Sequence, residues 1–184
     1  MGRLIATGIT SLDGYVNDDS GNFDWAAPDA QVHAFVNERE RNTRTHLYGR
    51  RMYETMRYWE TAGGPDEPAV EREWAELWRG LDKIVYSSTL DSVQTSRTRL
   101  ERSFDPAAVR ALKEAATHDL GIGGAGLAAE AFRAGLVDVV QQYVSPVVVG
   151  GGTRFLPEKV RLELELTDEV RFGNGVVFLE YRVR

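Results

Sequence analysis

The chain has 184 residues, enough to bury roughly 70% of the surface its unfolded form exposes and so to fold as a single domain over 1–184. Its formal net charge of −6 argues against nucleic acid or an anionic membrane as partner, since both are held by a broad excess of Lys and Arg. Cysteine is absent, which excludes disulfides, thiolate metal sites and cysteine nucleophiles, and no apolar run approaches the roughly 18 residues of a membrane span, so the expected location is the cytoplasm.

Leu4 to Thr10 reads as a buried first strand closed by the turn Ser11-Leu12-Asp13-Gly14. The segment Asp18-Asp19-Ser20-Gly21-Asn22 is dense in turn formers, while Phe23 and Trp25 beside it need cover. Pro28 and Asp29 signal the start of a helix with Val32, Phe35 and Val36 as its apolar stripe, ending near Asn42-Thr43. Thr45 to Tyr48 is a second strand, followed by a helix through Met52 to Met56. After a loop at Glu60 to Asp66, the spacing of Val70, Trp74, Leu77 and Leu81 predicts a helix with that stripe as core. Lys83 to Tyr86 and Thr98 to Arg102 read as strands, and Asp105 as the N-cap of a helix over Pro106 to Ala116.

The alternation then repeats, with a strand at Leu120 to Gly123 and a helix from Leu127 to Ala134 ending at Gly135. A long apolar strand follows from Val137 to Val149, interrupted at Ser145-Pro146. Strands separated by helices imply parallel pairing. Leu162, Leu164 and Leu166, and then Val177, Leu179, Tyr181 and Val183, alternate with polar residues on either side of Gly173-Asn174-Gly175, which predicts an antiparallel hairpin. The expected fold is α/β: a three-layer α/β/α arrangement of a mainly parallel twisted sheet with an antiparallel C-terminal hairpin.

Three strand exits end in groups suited to phosphate: Leu47-Tyr48-Gly49-Arg50-Arg51, Ile84-Val85-Tyr86-Ser87-Ser88-Thr89 and Leu120-Gly121-Ile122-Gly123-Gly124-Ala125-Gly126. In an open α/β sheet such exits converge on one ligand. Arg50 and Arg51 stand where a helix begins, a place where a cation opposes the helix dipole by roughly 0.3–1 kcal/mol. An anion bound there would reverse the sign, and a guanidinium fork beside the Ser87, Ser88 and Thr89 hydroxyls suits a phosphomonoester, which favours NADP over NAD. Gly121-Ile122-Gly123-Gly124-Ala125-Gly126 meets G-x-G-x-x-G after a strand and before a helix, so the amides of Gly124 to Leu127 can reach a pyrophosphate. The acidic residue that pattern wants about 20 residues on is missing, since Asp138 stands at the start of the next strand. His33, His46 and His118 form no metal pattern, and neither Ser11 nor Ser87 sits in a nucleophile elbow.

In their order along the chain, Thr10-Ser11-Leu12-Asp13-Gly14, Leu47 to Glu54, Val85 to Leu90, Ile122 to Gly126, and Gly135 to Asp138 leading to Ser145 to Gly152 resemble the dihydrofolate-reductase-like family. Within it they resemble the riboflavin-biosynthesis reductase that forms the second half of a bifunctional deaminase-reductase. The resemblance implies NADPH with its 2′-phosphate at Gly49, Arg50 and Arg51 and at the Ser87-Ser88 turn, its pyrophosphate over Gly123, Gly124, Ala125, Gly126 and Leu127, and its nicotinamide near Ala6 and the Ser11 to Gly14 turn. It implies hydride transfer to a small heterocyclic or ribosyl-heterocycle substrate, as in 5-amino-6-(5-phosphoribosylamino)uracil reductase.

Folate reductases carry a helix carboxylate one turn before a Phe, where this chain has Gln31 before Phe35, and the riboflavin enzymes carry a Lys where it has Thr7. A stand-alone reductase is therefore expected, with Asp13 first and Asp24 and Asp29 next as candidates for a proton-donating or substrate-orienting carboxylate. A folate reductase and a non-catalytic NADP-binding module are the rival readings. The hairpin's uncovered sheet edge suggests a homodimer.

Overall fold

The structure is a computed structural model that describes all 184 residues. In chain order it comprises β1 (Leu4–Thr10), β2 (Tyr15–Asn17), α1 (Ala30–Glu40), β3 (Thr43–Gly49), α2 (Arg50–Met56), α3 (Ala69–Gly80), β4 (Asp82–Tyr86), β5 (Thr98–Glu101), α4 (Pro106–Ala115), β6 (Asp119–Gly123), α5 (Ala125–Arg133), β7 (Val139–Val144), β8 (Thr153–Arg154), β9 (Leu164–Arg171) and β10 (Val177–Val183). An eight-stranded sheet runs in the order β5-β4-β3-β6-β1-β7-β10-β9. The six strands from β5 to β7 pair in parallel, and β10 and β9 add the antiparallel hairpin.

Strand alternation gives the sheet two unlike faces. On one, Leu4, Ala6, Leu47, Leu120, Ile122 and Val140 meet Val109 of α4 and Leu127, Ala128, Ala131 and Phe132 of α5 in the main core. On the other, Tyr143 and Phe178 pack with Val32 of α1, and Tyr48 and Val85 pack with Tyr53 of α2. This second face is partly polar: Glu40 and His46 are buried on it, and Thr7 Oγ donates to Gln141 at 3.0 Å. Helices therefore cover both faces, as the sequence implies, and none is long and apolar enough to cross a membrane.

Caps set the helix starts. The Asp29 carboxylate accepts from the Val32 amide at 2.9 Å and that of Asp105 from the Ala107 amide at 2.9 Å. The buried face of α3 is rotated from the predicted stripe. Trp74, Ala75 and Trp78 are buried while Val70 and Leu77 are only half-buried, because the indoles at i and i+4 claim the side facing α1 and the sheet. In α1, Asn37 and Glu40 are buried alongside Val32, whereas Phe35 and Val36 are half-buried. Asn37 donates to the Val70 carbonyl at 2.9 Å and to Glu73 at 3.0 Å, which ties α1 to α3.

The strand expected to run from Val137 to Val149 stops at Val144. Ser145 still donates to the Thr10 carbonyl at 2.7 Å, but Pro146 has no N–H to extend the ladder. The chain beyond it turns back and forms a short antiparallel pair, β8 on β2, that the sequence reading did not anticipate.

Candidate active site

The parallel strands all release their chains at one edge. Register places Tyr48 beside Gly123 and Gly49 beside Tyr86, so the exits of β3, β4 and β6 stand in a row. The β3 and β6 exits interlock: a Cβ on Gly124 would stand 3.8 Å from the Gly49 nitrogen, and one on Gly49 would stand 3.6 Å from Leu127 Cβ. Gly124 has φ +94°, a conformation that side chains resist, and it is the residue that turns the chain into α5. The first bond of α5 runs from the Ala128 amide to the Gly124 carbonyl at 3.0 Å, leaving the amides of Ala125, Gly126 and Leu127 without a helical acceptor.

Arg50 and Arg51, exposed at the start of α2, flank this meeting point. Arg50 Nε is 3.9 Å from Glu54 Oε1, and Arg51 makes no ion pair. At the β4 exit, the buried Ser87 hydroxyl accepts from the amides of Leu90 at 3.0 Å and Thr89 at 3.3 Å, so it shapes its own turn. Ser88 and Thr89 are exposed beside it. Ala6 is fully buried in the main core.

At the exit of β1 the Asp13 carboxylate accepts from the amides of Gly150 at 2.8 Å and Val149 at 3.2 Å. The Ser11 hydroxyl and these two amides hold its pKa below the usual carboxylate range, so it is ionised at neutral pH. Asn17 accepts from the Thr153 amide at 3.0 Å, and a Cβ on Gly151 would stand 2.6 Å from the Asp19 carboxylate. A Cβ on Gly152 would collide with the Asn17 carbonyl. Gly151 and Gly152 are thus glycine because the 13–19 segment lies directly against them, and Gly150 because its φ is +79°.

Beside α1 lies a cleft of about 200 Å³, lined by Ile9, Trp25, Ala26, Ala27, Pro28, Val32, Ser145, Pro146, Asn174 and Val176. Trp25 of its lining also carries the one buried side-chain polar atom in the chain without a partner, the indole nitrogen. Asp24 is exposed at the start of the short 3-10 turn Asp24–Ala26. Asp29 is exposed and its carboxylate caps α1. Gln31, at the place of the folate carboxylate, accepts from the Gly173 amide at 3.4 Å instead. Trp25 and the hairpin residues Asn174 and Val176 escaped the sequence reading as site residues. The exposed-looking aromatic between turn formers was the available signal.

Behind the β3 exit runs a buried polar chain. Glu40 lies 3.0 Å from His46 Nε2, His46 Nδ1 lies 2.8 Å from the Tyr48 hydroxyl, and Trp78 Nε1 donates to that hydroxyl at 3.3 Å. Burial pushes the Glu40 carboxyl up, yet the charge and hydrogen bond of His46 outweigh it and hold the pKa below its usual value.

Comparison with known proteins agrees with this architecture. The chain is 28% identical over 183 residues to the uncharacterized protein YyaP of Bacillus subtilis (strain 168), covering 97% of this chain and 94% of that one. A deaminase/5-amino-6-(5-phosphoribosylamino)uracil reductase from Thermotoga maritima superimposes with a TM-score of 0.69 at 15% identity, over 100% of this chain and 57% of that one. Dihydrofolate reductase from Enterococcus faecalis, complexed with NADP(H), superimposes with a TM-score of 0.64 at 16% identity, over 100% and 97% of the two chains. Residues 3–178 match the RibD C-terminal domain, and with that match the chain belongs to this family of riboflavin-pathway reductases.

Proposed function

We propose that the protein is an NADPH-dependent reductase that delivers hydride to a small heterocyclic or ribosyl-heterocycle substrate. The observation that carries this reading is the interlock of Gly49 with Gly124 and Leu127. It brings the start of α2, with the exposed Arg50 and Arg51, up to the start of α5, where the amides of Ala125, Gly126 and Leu127 have no helical acceptor. Guanidinium groups and helix N-terminal amides suit a dinucleotide with an extra phosphate: Arg50, Arg51, Ser88 and Thr89 would hold the phosphomonoester, and the α5 amides would hold the pyrophosphate. Gly123 and Gly124 let the β6 exit lie directly against Tyr48 and Met52, where a Cβ on either would stand 3.1–3.2 Å from those side chains.

The reduced nicotinamide supplies the hydride. The chain's own residues orient the reactants and exclude water. Asp13, ionised and tied to Val149 and Gly150, orients the wall beside the β1 exit. Asp24 and Asp29 flank the Trp25 to Pro28 stretch of the cleft that takes the substrate. Calorimetry with NADPH and NADH tests the reading. NADPH should bind the wild-type chain, and the double change Arg50→Ala plus Arg51→Ala should weaken NADPH at least tenfold while leaving NADH nearly unchanged. No heat with either coenzyme would overturn the assignment.

A further inference from the structure

From Leu4 to Glu38 the chain contains no lysine or arginine, yet it carries Asp13, Asp18, Asp19, Asp24 and Asp29. None of these five carboxylates makes an ion pair with a cation. They are spread along the segment that supplies one wall of the cleft, and the cleft lining itself holds no charged residue. Before the hairpin residues of the lining, β9 turns Asp168 and Val170 toward α1, so strand alternation directs Arg171 away from it. Arg57, an unpaired cation beyond α2, is not part of the lining.

Size points the same way. About 200 Å³ is less than the roughly 300–1,000 Å³ of sites that enclose drug-sized ligands, and it matches a single ring system better than a ring with a phosphoribosyl arm. The unpartnered Trp25 indole N–H supplies a donor with no acceptor in the protein, a cost that a ligand acceptor would remove.

We infer that this cleft selects a small, non-phosphorylated heterocycle, neutral or cationic, that presents a ring carbonyl or ring nitrogen to the Trp25 indole N–H. The inference rests on the reading of the cleft as the substrate pocket. It departs from the phosphorylated substrate named for the Thermotoga maritima relative. A dianionic phosphate would approach uncompensated carboxylates on one side and find no cation in the lining, so the field works against it at low ionic strength.

The test is calorimetric titration of the full chain, with and without saturating NADP⁺, using 5-amino-6-(ribosylamino)uracil, its 5′-phosphate and pterin. The unphosphorylated uracil or pterin should bind at least tenfold tighter than the phosphate, and the gap should narrow as salt is raised from about 20 to 500 mM, where charges are screened. Asp24→Asn should narrow it as well. Trp25→Phe, which keeps an aromatic ring and removes the donor, should weaken the unphosphorylated ligand about tenfold. Equal or tighter binding of the phosphate, no response to Trp25→Phe, or no binding of any of the three would overturn the inference. Coenzyme binding is titrated separately, so its absence would overturn the reductase reading while leaving the ligand preference measurable.

Discussion

The His46 imidazole lies flat against Gly121 of the paired strand, so that a Cβ built at Gly121 would stand 2.9 Å from both its Cε1 and Nε2 atoms. Two residues on, the Tyr48 ring stands 3.1 Å from where a Cβ on Gly123 would be. Two glycines of β6 thus make the floor on which two rings of β3 rest. Gly121→Ala should destabilise the protein by about 1–3 kcal/mol, because the ring is held by Glu40 and Tyr48 and has nowhere to move. At this chain length that is a fall of several degrees in Tm, measurable by thermal denaturation. An unchanged Tm would mean that the imidazole yields freely.

Lys83 is buried, with its ammonium donating to the carbonyls of Trp78 at 3.0 Å and Leu81 at 2.9 Å and lying 4.3 Å from the centre of the Trp78 ring. It makes no ion pair, and burial pulls its pKa down to about 8 from 10.5. Between those values the unfolded chain binds a proton that the folded chain has lost, so stability rises with pH across that window and is insensitive to this group below it. Above about pH 10 the buried hydroxyls of Tyr48 and Tyr143, whose pKa values burial pushes up, act in the opposite sense. Urea midpoints should therefore rise from about pH 8 to about pH 10 and then fall. Lys83→Met should remove the rise, and a midpoint that falls steadily across this window in the unaltered chain would contradict the argument.

Replacing Asp13 by Asn keeps one acceptor for the Val149 and Gly150 amides and removes the charge. If the carboxylate acts by holding this wall in place, Asp13→Asn should lower kcat by roughly tenfold, about 1.4 kcal/mol, with NADPH affinity almost unchanged. The pH dependence of the residual activity should keep its shape, since no titrating group has been lost from the reaction. Loss of one limb of the pH profile would instead make Asp13 a proton donor.

The outer strand of the hairpin leaves Leu164 and Leu166 exposed by 36% and 46%, on a sheet edge with no further strand. Pairing of two copies along this edge would cover them. Light scattering at micromolar concentration should give the mass of a dimer, and Leu164→Glu with Leu166→Glu should return it to 20.6 kDa. A monomeric mass for the unaltered chain would dismiss the pairing.

Periodicity made the large elements legible. β1, the Asp29 and Asp105 caps, and the hairpin stand where alternation and capping chemistry predict them. What the sequence hid were choices made by tertiary contact. The buried side of α3 follows the indoles of Trp74 and Trp78, which no apolar count ranks above Leu77. Glu40 is buried because His46, on the following strand, satisfies it, and Asn37 because the Val70 carbonyl, 33 residues away, accepts from it. Asp138, at the start of the next strand rather than at its end, pairs with Lys113 at 2.7 Å and accepts from the Leu4 amide at 2.7 Å, away from the strand exits. The cleft stayed hidden because its lining comes from four separate stretches with no shared motif.

The pairing of β2 with β8, locked by Asp13, Asn17 and Asp19 against Val149 to Thr153, makes two distant stretches into one mechanical part. Lengthening or shortening either stretch would have to be matched in the other. Changes of ligand taste are freer to arise in Trp25 to Pro28, which line the cleft and carry none of those ties.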